Sequence, residues 1–191
     1  MLWITLQKMK LNGKAKLAFK GNIFDVYQWD QELFDGTHHT FEMLKRPDTN
    51  QIITVHEGKI VVTFESQPNK FNYYSFPGGR ANENEDPLES AKRELIEETG
   101  FTSDDWDLYN TYEPFSKIDW KIHYFIARNC KKTQEPHLDP GEKIELKYLT
   151  FDDFMQLLHD GHYSGHDFVT EMMKVYYEPS LREAFKKRLG L

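Results

Sequence analysis

The chain has 191 residues, enough to bury a core without staples, and its single cysteine, Cys130, excludes an intramolecular disulfide. With 31 acidic against 24 basic side chains the net charge is −7, which argues against a general nucleic-acid binder. No stretch reaches the ~20 apolar residues of a membrane span, and MLWITLQKMKLNGK lacks the bounded apolar run of a signal peptide. The expectation is a soluble cytoplasmic protein without nucleic acid or membrane partners, and the charge does not exclude a phosphorylated small molecule held through metal ions.

In chain order, NIFDVYQW (22–29) and TFEML (40–44) read as short strands flanking the turn-rich QELFDGTHH. QIITVHEGKIVVTFES (51–66) is predicted as a β-hairpin, with Glu57-Gly58 as its turn. FNYYSF then leads into the paired glycines Gly78 and Gly79. Residues 86–99 form a helix with marked ends. Asp86 caps it, Pro87 takes the first position, Glu89 has capping-box spacing and Gly100 supplies the stop. Leu88, Ala91 and Leu95 give it a narrow apolar stripe.

Further on, DWDLYNTYEPF reads as irregular or strand. In KIDWKIHYFIA, Ile118, Trp120, Ile122, Tyr124 and Ile126 alternate, which predicts one strand with one buried face. Core packing is therefore expected for Trp120, with base stacking as the alternative, and Cys130 should be a buried apolar residue. GEKIELKYLT is a strand after the turn at Asp139-Pro140-Gly141. Thr150 to Asp153 open a capped helix, and the tail from Asp167 to Arg188 is helical with a break at Pro179. Strands dominate the middle and helices are few, so the fold class is α+β.

The chemistry lies in PGGRANENEDPLESAKRELIEETGF (77–101). Glu94, Glu97 and Glu98 crowd into five positions of one helix, where like charges at i,i+4 repel. A lone ELIEE would be read as a solvated face. Here the helix follows a loop whose glycines permit close backbone approach, and Arg93 can reach Glu97 or fold back to Glu85. A divalent cation among oxygen donors would turn the repulsion into coordination.

Gly79, Glu85, Arg93-Glu94-Leu95, Glu97-Glu98 and Gly100-Phe101 match G-x5-E-x7-R-E-U-x-E-E-x-G-U, with U apolar, across 23 gapless residues. This segment resembles the Nudix box. The resemblance implies the Nudix fold, a mixed β-sheet sandwiched between helices, here preceded by N-terminal antiparallel strands. It also implies hydrolysis of a nucleoside diphosphate linked to another moiety. Carried onto this sequence, Glu94 and Glu98 would be the principal ligands of Mg2+ (or Mn2+). Glu97 would be a further ligand, Gly78 would lend a carbonyl and Arg93 would orient the acids.

Outside the box the chain resembles the ADP-ribose pyrophosphatase branch over about residues 20–160. That likeness implies a homodimer built through N-terminal strands (1–45), a hydrolase domain over 46–191, and ADP-ribose cleaved to AMP and ribose 5-phosphate. Arg46 and Arg80 are the phosphate-binding candidates, and Gln67-Pro68-Asn69-Lys70 stands where the branch often has Gln-aromatic-Arg. The general base is expected from the GEKIE loop, with Glu142 first and Glu145 as the alternative. His159, His162 and His166 lack a recognised zinc spacing. Lys186-Lys187-Arg188 is read as a solvated helix end.

Overall fold

A computed structural model describes residues 11, 13–68, 70–138 and 140–191. The stretch read above for a signal peptide lies outside them at residues 1–10 and at Asn12, as do Asn69, Asp139 and the side chains of Lys70 and Phe71. Three strands open the described chain: β1 (Lys16–Phe19), β2 (Asp25–Glu32) and β3 (His38–Lys45). The hairpin β4 (Thr49–His56) and β5 (Lys59–Gln67) follows, then β6 (Lys70–Ser75) and helix α1 (Pro87–Thr99). Next come β7 (Phe101–Thr102), β8 (Asp105–Tyr112), β9 (Ile118–Asp119), β10 (Ile122–Arg128) and β11 (Lys131–Lys132). The chain finishes with β12 (Lys143–Leu149), α2 (Phe151–His159), α3 (His166–Tyr177) and α4 (Pro179–Arg188).

The central sheet is mixed, in the order β12-β5-β4-β10-β8 with β6 also on β5, and β4 runs parallel to β10. Period-two alternation sends its side chains to two cores. Ile52 and Phe125 pack with Ala91 and Leu95 of α1, whereas Ile53, Tyr124 and Ile126 pack with Phe154, Phe168 and Phe185 of α2, α3 and α4. The sheet is thus held between helices, as the Nudix resemblance implies. No helix among the described residues is long and apolar enough to cross a membrane.

Local signals held where they were strong. Glu57 (φ 47°) and Gly58 (φ 72°) make the primed turn that suits right-twisted strands. Thr150 and Asp153 close a reciprocal cap on α2, and Pro179 begins α4. Cys130 is buried. Glu89 does not close a box on α1, however; it pairs with Lys92 at 2.7 Å. The basic end of α4 is not simply solvated, because Arg188 binds Asp107 (2.8 Å) and the Leu108 carbonyl (3.0 Å) on β8.

The single strand expected over KIDWKIHYFIA is two. Ile118 pairs in parallel with Leu44 of β3, then the chain crosses at Trp120-Lys121, and Ile122 pairs with Thr49 of β4. The crossing joins the second sheet, β1-β2-β3-β9, to the central one. It also takes Trp120 out of the core.

Phe76, fully buried, links core to site. Its ring lies 5.2–5.5 Å from those of Phe154, Tyr163 and Phe168, so truncation to Ala would cost ~3–5 kcal/mol. The next residues, Pro77 to Ala81, lie along β4 through Ile52 N–H to Pro77 O (2.8 Å), Asn50 N–H to Gly79 O (2.9 Å) and Ala81 N–H to Asp48 O (2.9 Å). The glycine loop is therefore fixed to the sheet at one end and the core at the other.

Candidate active site

Helix α1 is placed by its caps. Asp86 accepts from Leu88 N–H (2.9 Å) and Glu89 N–H (3.3 Å), and Gly100 ends the helix in the left-handed region at φ 73°. With Ala91 and Leu95 buried, Arg93, Glu94, Glu97 and Glu98 emerge along the glycine loop.

Arg93 binds all its neighbours at once. Nε and Nη2 hold the two Glu85 oxygens at 2.9 and 3.0 Å, while Nη1 reaches Glu94 at 2.8 Å and Glu97 at 3.0 Å. Nη2 also donates to the Arg80 carbonyl at 3.3 Å, which ties the loop to the helix. The guanidinium beside it holds the Glu85 carboxyl down to about 2. Both sequence alternatives for Arg93, Glu97 and Glu85, are realised together.

Glu98 is only 8% exposed and takes one bond, from Gly78 N–H at 2.8 Å. Burial, aided by Glu65, Glu94 and Glu142, pushes its carboxyl well above the ordinary value. Glu94 is raised as well, by burial first and then by Glu97 and Glu142. The glycines make this proximity possible. A Cβ on Gly78 (φ 150°) would meet the Asn50 carbonyl at 2.1 Å, and one on Gly79 would meet the Glu94 carboxylate at 2.6 Å.

Two connected cavities, of about 500 and 560 Å³, form one cleft, with Arg46, Gly78, Arg80, Glu98 and Glu142 lining both. Its acidic wall carries Glu94, Glu97, Glu98 and Glu142. Facing it, Arg46 lies 4.3 Å above the Trp120 ring and 5.5 Å from Phe24. Its Nη2 reaches Thr49 Oγ1 at 3.4 Å, but its buried Nε has no hydrogen-bond partner among the described residues. Burial, then the Arg80 charge, pulls the Arg46 guanidinium down, so an anion here would relieve both. Glu145 lies outside the cleft and pairs with Lys147, so of the two loop acids only Glu142 lines it.

The donor set suits a hard divalent cation: oxygen ligands, excess negative charge and a buried carboxylate with a single hydrogen bond. No three His, Cys, Asp or Glu side chains among the described residues yet surround a common point. Arg93 draws Glu94 and Glu97 to itself while Glu98 turns to Gly78 N–H.

Sequence reasoning missed several lining residues. Glu65 on β5 is buried and accepts from Thr63 Oγ1 (2.7 Å) and Tyr73 Oη (2.5 Å). Its signal was an acid placed by alternation on a buried face. Trp120 lines the cleft instead of the core, and Gly165, His166 and Asp167 contribute from the start of α3. The three histidines do not converge on a metal: His159 stacks on Tyr176 at 4.6 Å while His166 faces the cleft.

A NUDIX domain family model matches residues 44–171. The chain is 30% identical to the ADP-ribose pyrophosphatase of Bacillus subtilis (strain 168) over 144 residues, 73% of this chain and 78% of that protein. It is 29% identical to the methanol dehydrogenase activator of Bacillus methanolicus, over 76% of this chain and 80% of the relative. Its fold is that of a solved ADP compounds hydrolase, with a TM-score of 0.71 and 18% identity over 90% of this chain and 94% of that one.

Proposed function

The chain belongs to the NUDIX domain family and is a Nudix-type pyrophosphohydrolase; from that premise we propose that it cleaves the diphosphate bond of a nucleoside diphosphate sugar. ADP-ribose, giving AMP and ribose 5-phosphate, is the leading substrate, and Mg2+, replaceable by Mn2+, the leading cofactor. The observation that carries this reading is one cleft lined by four carboxylates, Glu94, Glu97, Glu98 and Glu142, together with Arg46 and Arg80. A diphosphate needs both, cations for its oxygens and a charged scaffold beside the bond that breaks.

Glu94 and Glu98 would hold the divalent ion, with Glu97 and the Gly78 carbonyl beside them. When bound, such an ion neutralises diphosphate charge and acidifies a coordinated water. Arg93 keeps the acids of α1 in place, and Arg46 and Arg80 draw the diphosphate across the cleft. Glu142, which lines both cavities, would accept the proton of the attacking water. Residues 1–45 would serve dimerisation and residues 46–191 hydrolysis.

A silent nucleotide sensor is the other reading, and the activator from Bacillus methanolicus keeps it in view. The complete set of box acids favours hydrolysis. The deciding experiment incubates the protein with ADP-ribose, other nucleoside diphosphate sugars and dinucleoside polyphosphates in Mg2+. Release of AMP from ADP-ribose, abolished by EDTA, is expected; no turnover of any of them overturns the proposal.

A further inference from the structure

One buried acid of the cleft, Glu65, has no part in the hydrolysis proposed above. Along β5, Val61, Thr63 and Glu65 fall on one face, and Val61 packs with Ala91 and Leu95 of α1. Further along that face Glu65 lines the cavity together with Glu98 and Glu142. Glu65 and Glu98 are each only 8% exposed. The charge of Glu65 acts on Glu98 more strongly than that of Glu94 or Glu142 does. Two hydroxyls hold the carboxylate: Thr63 Oγ1 donates to Oε1 at 2.7 Å and Tyr73 Oη to Oε2 at 2.5 Å. The β5–β6 ladder shifts register just beyond the Glu65–Tyr73 pair, the kind of irregularity that re-aims a side chain beside a site.

These bonds account for the orientation of Glu65 but not for its charge. Thr63 Oγ1 also lies 3.1 Å from the Ser75 carbonyl, and a glutamine would accept from a hydroxyl as well. No Lys, Arg or His among the described residues pairs with Glu65. A buried carboxylate facing another buried carboxylate is costly unless a cation compensates both. Each carboxylate oxygen accepts two hydrogen bonds, so each oxygen of Glu65 keeps one acceptor position. Mg2+ retains several waters when bound, and those waters are donors. We propose that Glu65 is a positioning residue for the divalent ion: fixed by Thr63 and Tyr73, it accepts from coordinated water and adds its charge to that of Glu94 and Glu98. It acts through that water and is not itself a ligand.

The proposal rests on the hydrolase reading only for the cation, and it is tested without substrate. Mn2+ titrations followed by electron paramagnetic resonance compare wild type, Glu65→Gln, Tyr73→Phe, Glu98→Gln and Asp167→Asn. Glu65→Gln should weaken Mn2+ binding about tenfold, as loss of an outer-shell partner does, and should melt no lower than wild type in EDTA. Tyr73→Phe keeps the charge and frees one oxygen, so its loss should be smaller but measurable. Asp167→Asn removes an acid from the same cavity at α3 and should bind Mn2+ like wild type. Wild-type affinity in Glu65→Gln overturns the proposal, as does an equal loss in Asp167→Asn, which would reduce the effect to cavity charge. A loss as large as that in Glu98→Gln overturns it too, by making Glu65 a ligand. Should Glu65→Gln not fold, Tyr73→Phe decides, and wild-type affinity there overturns the role. Tenfold weaker Mn2+ binding in Glu65→Gln, in a protein without turnover, would uphold Glu65 and overturn the hydrolase. Turnover by wild type with unchanged Mn2+ affinity in Glu65→Gln would do the reverse.

Discussion

Gly79 lies so close to Glu94 that a methyl group on the glycine would stand 2.6 Å from the carboxylate. Its φ lies outside the left-handed region, so alanine fits the backbone there. What must move is the far end of a flexible acid. Gly79→Ala should therefore keep the melting temperature within about 2 °C while lowering metal-dependent turnover about 10–100-fold, as loss of ligand orientation does. Gly78→Ala is the contrast: at φ 150° its Cβ meets the Asn50 backbone at 2.1 Å. Strain and overpacking of about 3 kcal/mol should lower its Tm by roughly 10 °C. Melting curves and AMP release on both variants check the pair; equal stabilities would refute the distinction.

Glu98 links stability to function with opposite signs. In the folded chain its carboxyl holds a proton above the ordinary value of 4.5, so ionising it costs folding free energy. In EDTA, stability from this group is greatest below pH 4.5 and falls as pH rises through the interval up to the raised value. Glu98→Gln removes that slope and should raise the Tm at neutral pH by a few degrees, for about 1 kcal/mol. It should also reduce metal-dependent turnover by at least about a hundredfold. Identical pH–Tm profiles for the two proteins, or retained turnover, would remove Glu98 from this role.

Arg93 and Glu85 behave the other way. Glu85 is held down to about 2, so its contribution is fully present above its ordinary 4.5 and disappears as pH falls toward 2. Glu85→Gln should lose that acid-side dependence, seen as a flatter Tm profile between those limits. Arg93→Lys keeps a charge but not the fork that reaches Glu85, Glu94 and Glu97 together. Its turnover should drop about 10–100-fold. A lysine variant as active as wild type would mean that the charge alone suffices.

Which of these relationships could be read beforehand depends on range. Asp86, Pro87 and Gly100 act within one turn of α1, and Glu57-Gly58 within one hairpin, so the sequence pattern and the backbone agree. The strand KIDWKIHYFIA failed for a physical reason. Ile118 and Ile122 keep the same alternation although they belong to different sheets, because the period is blind to the identity of the pairing partner. Trp120 stands at that crossover and was assigned to the core for the same reason. β1, with all four residues exposed, carries no alternation to detect. Glu65 needed its Tyr73 partner and the facing Glu98, which only the folded sheet supplies.

Location favours Glu142 over Glu145 as the proposed general base. Glu142 lines the cleft beside Glu98, whereas Glu145 is paired with Lys147 on the exposed side of β12. Glu142→Gln should lower kcat by about 10²–10³ with metal affinity nearly unchanged, and Glu145→Gln should match wild type. Pre-steady-state turnover with Mg2+ titrations separates the two quantities. A full rate in Glu142→Gln would move proton transfer to another group.

The remaining prediction concerns the N-terminal sheet. Among the described residues β1 sits at its edge with one neighbour, β2, and Leu17, Phe19 and Ile23 are 50%, 63% and 49% exposed. A strand edge that no other described strand covers, with apolar side chains, is what a second copy of the chain would cover. Light scattering should therefore give twice the chain mass, and Leu17→Glu with Phe19→Glu should return it to one. The consequence reaches the cleft, because Ile23 and Phe24 line it and Phe24 lies 5.5 Å from the Arg46 guanidinium. If the sheet is buttressed by its copy, the double variant should raise KM for ADP-ribose by several-fold with kcat preserved, since Arg46 loses support and the acidic wall does not. A wild-type monomer would end the dimer, and a monomeric variant with unchanged KM would show that Arg46 is held by its own chain alone.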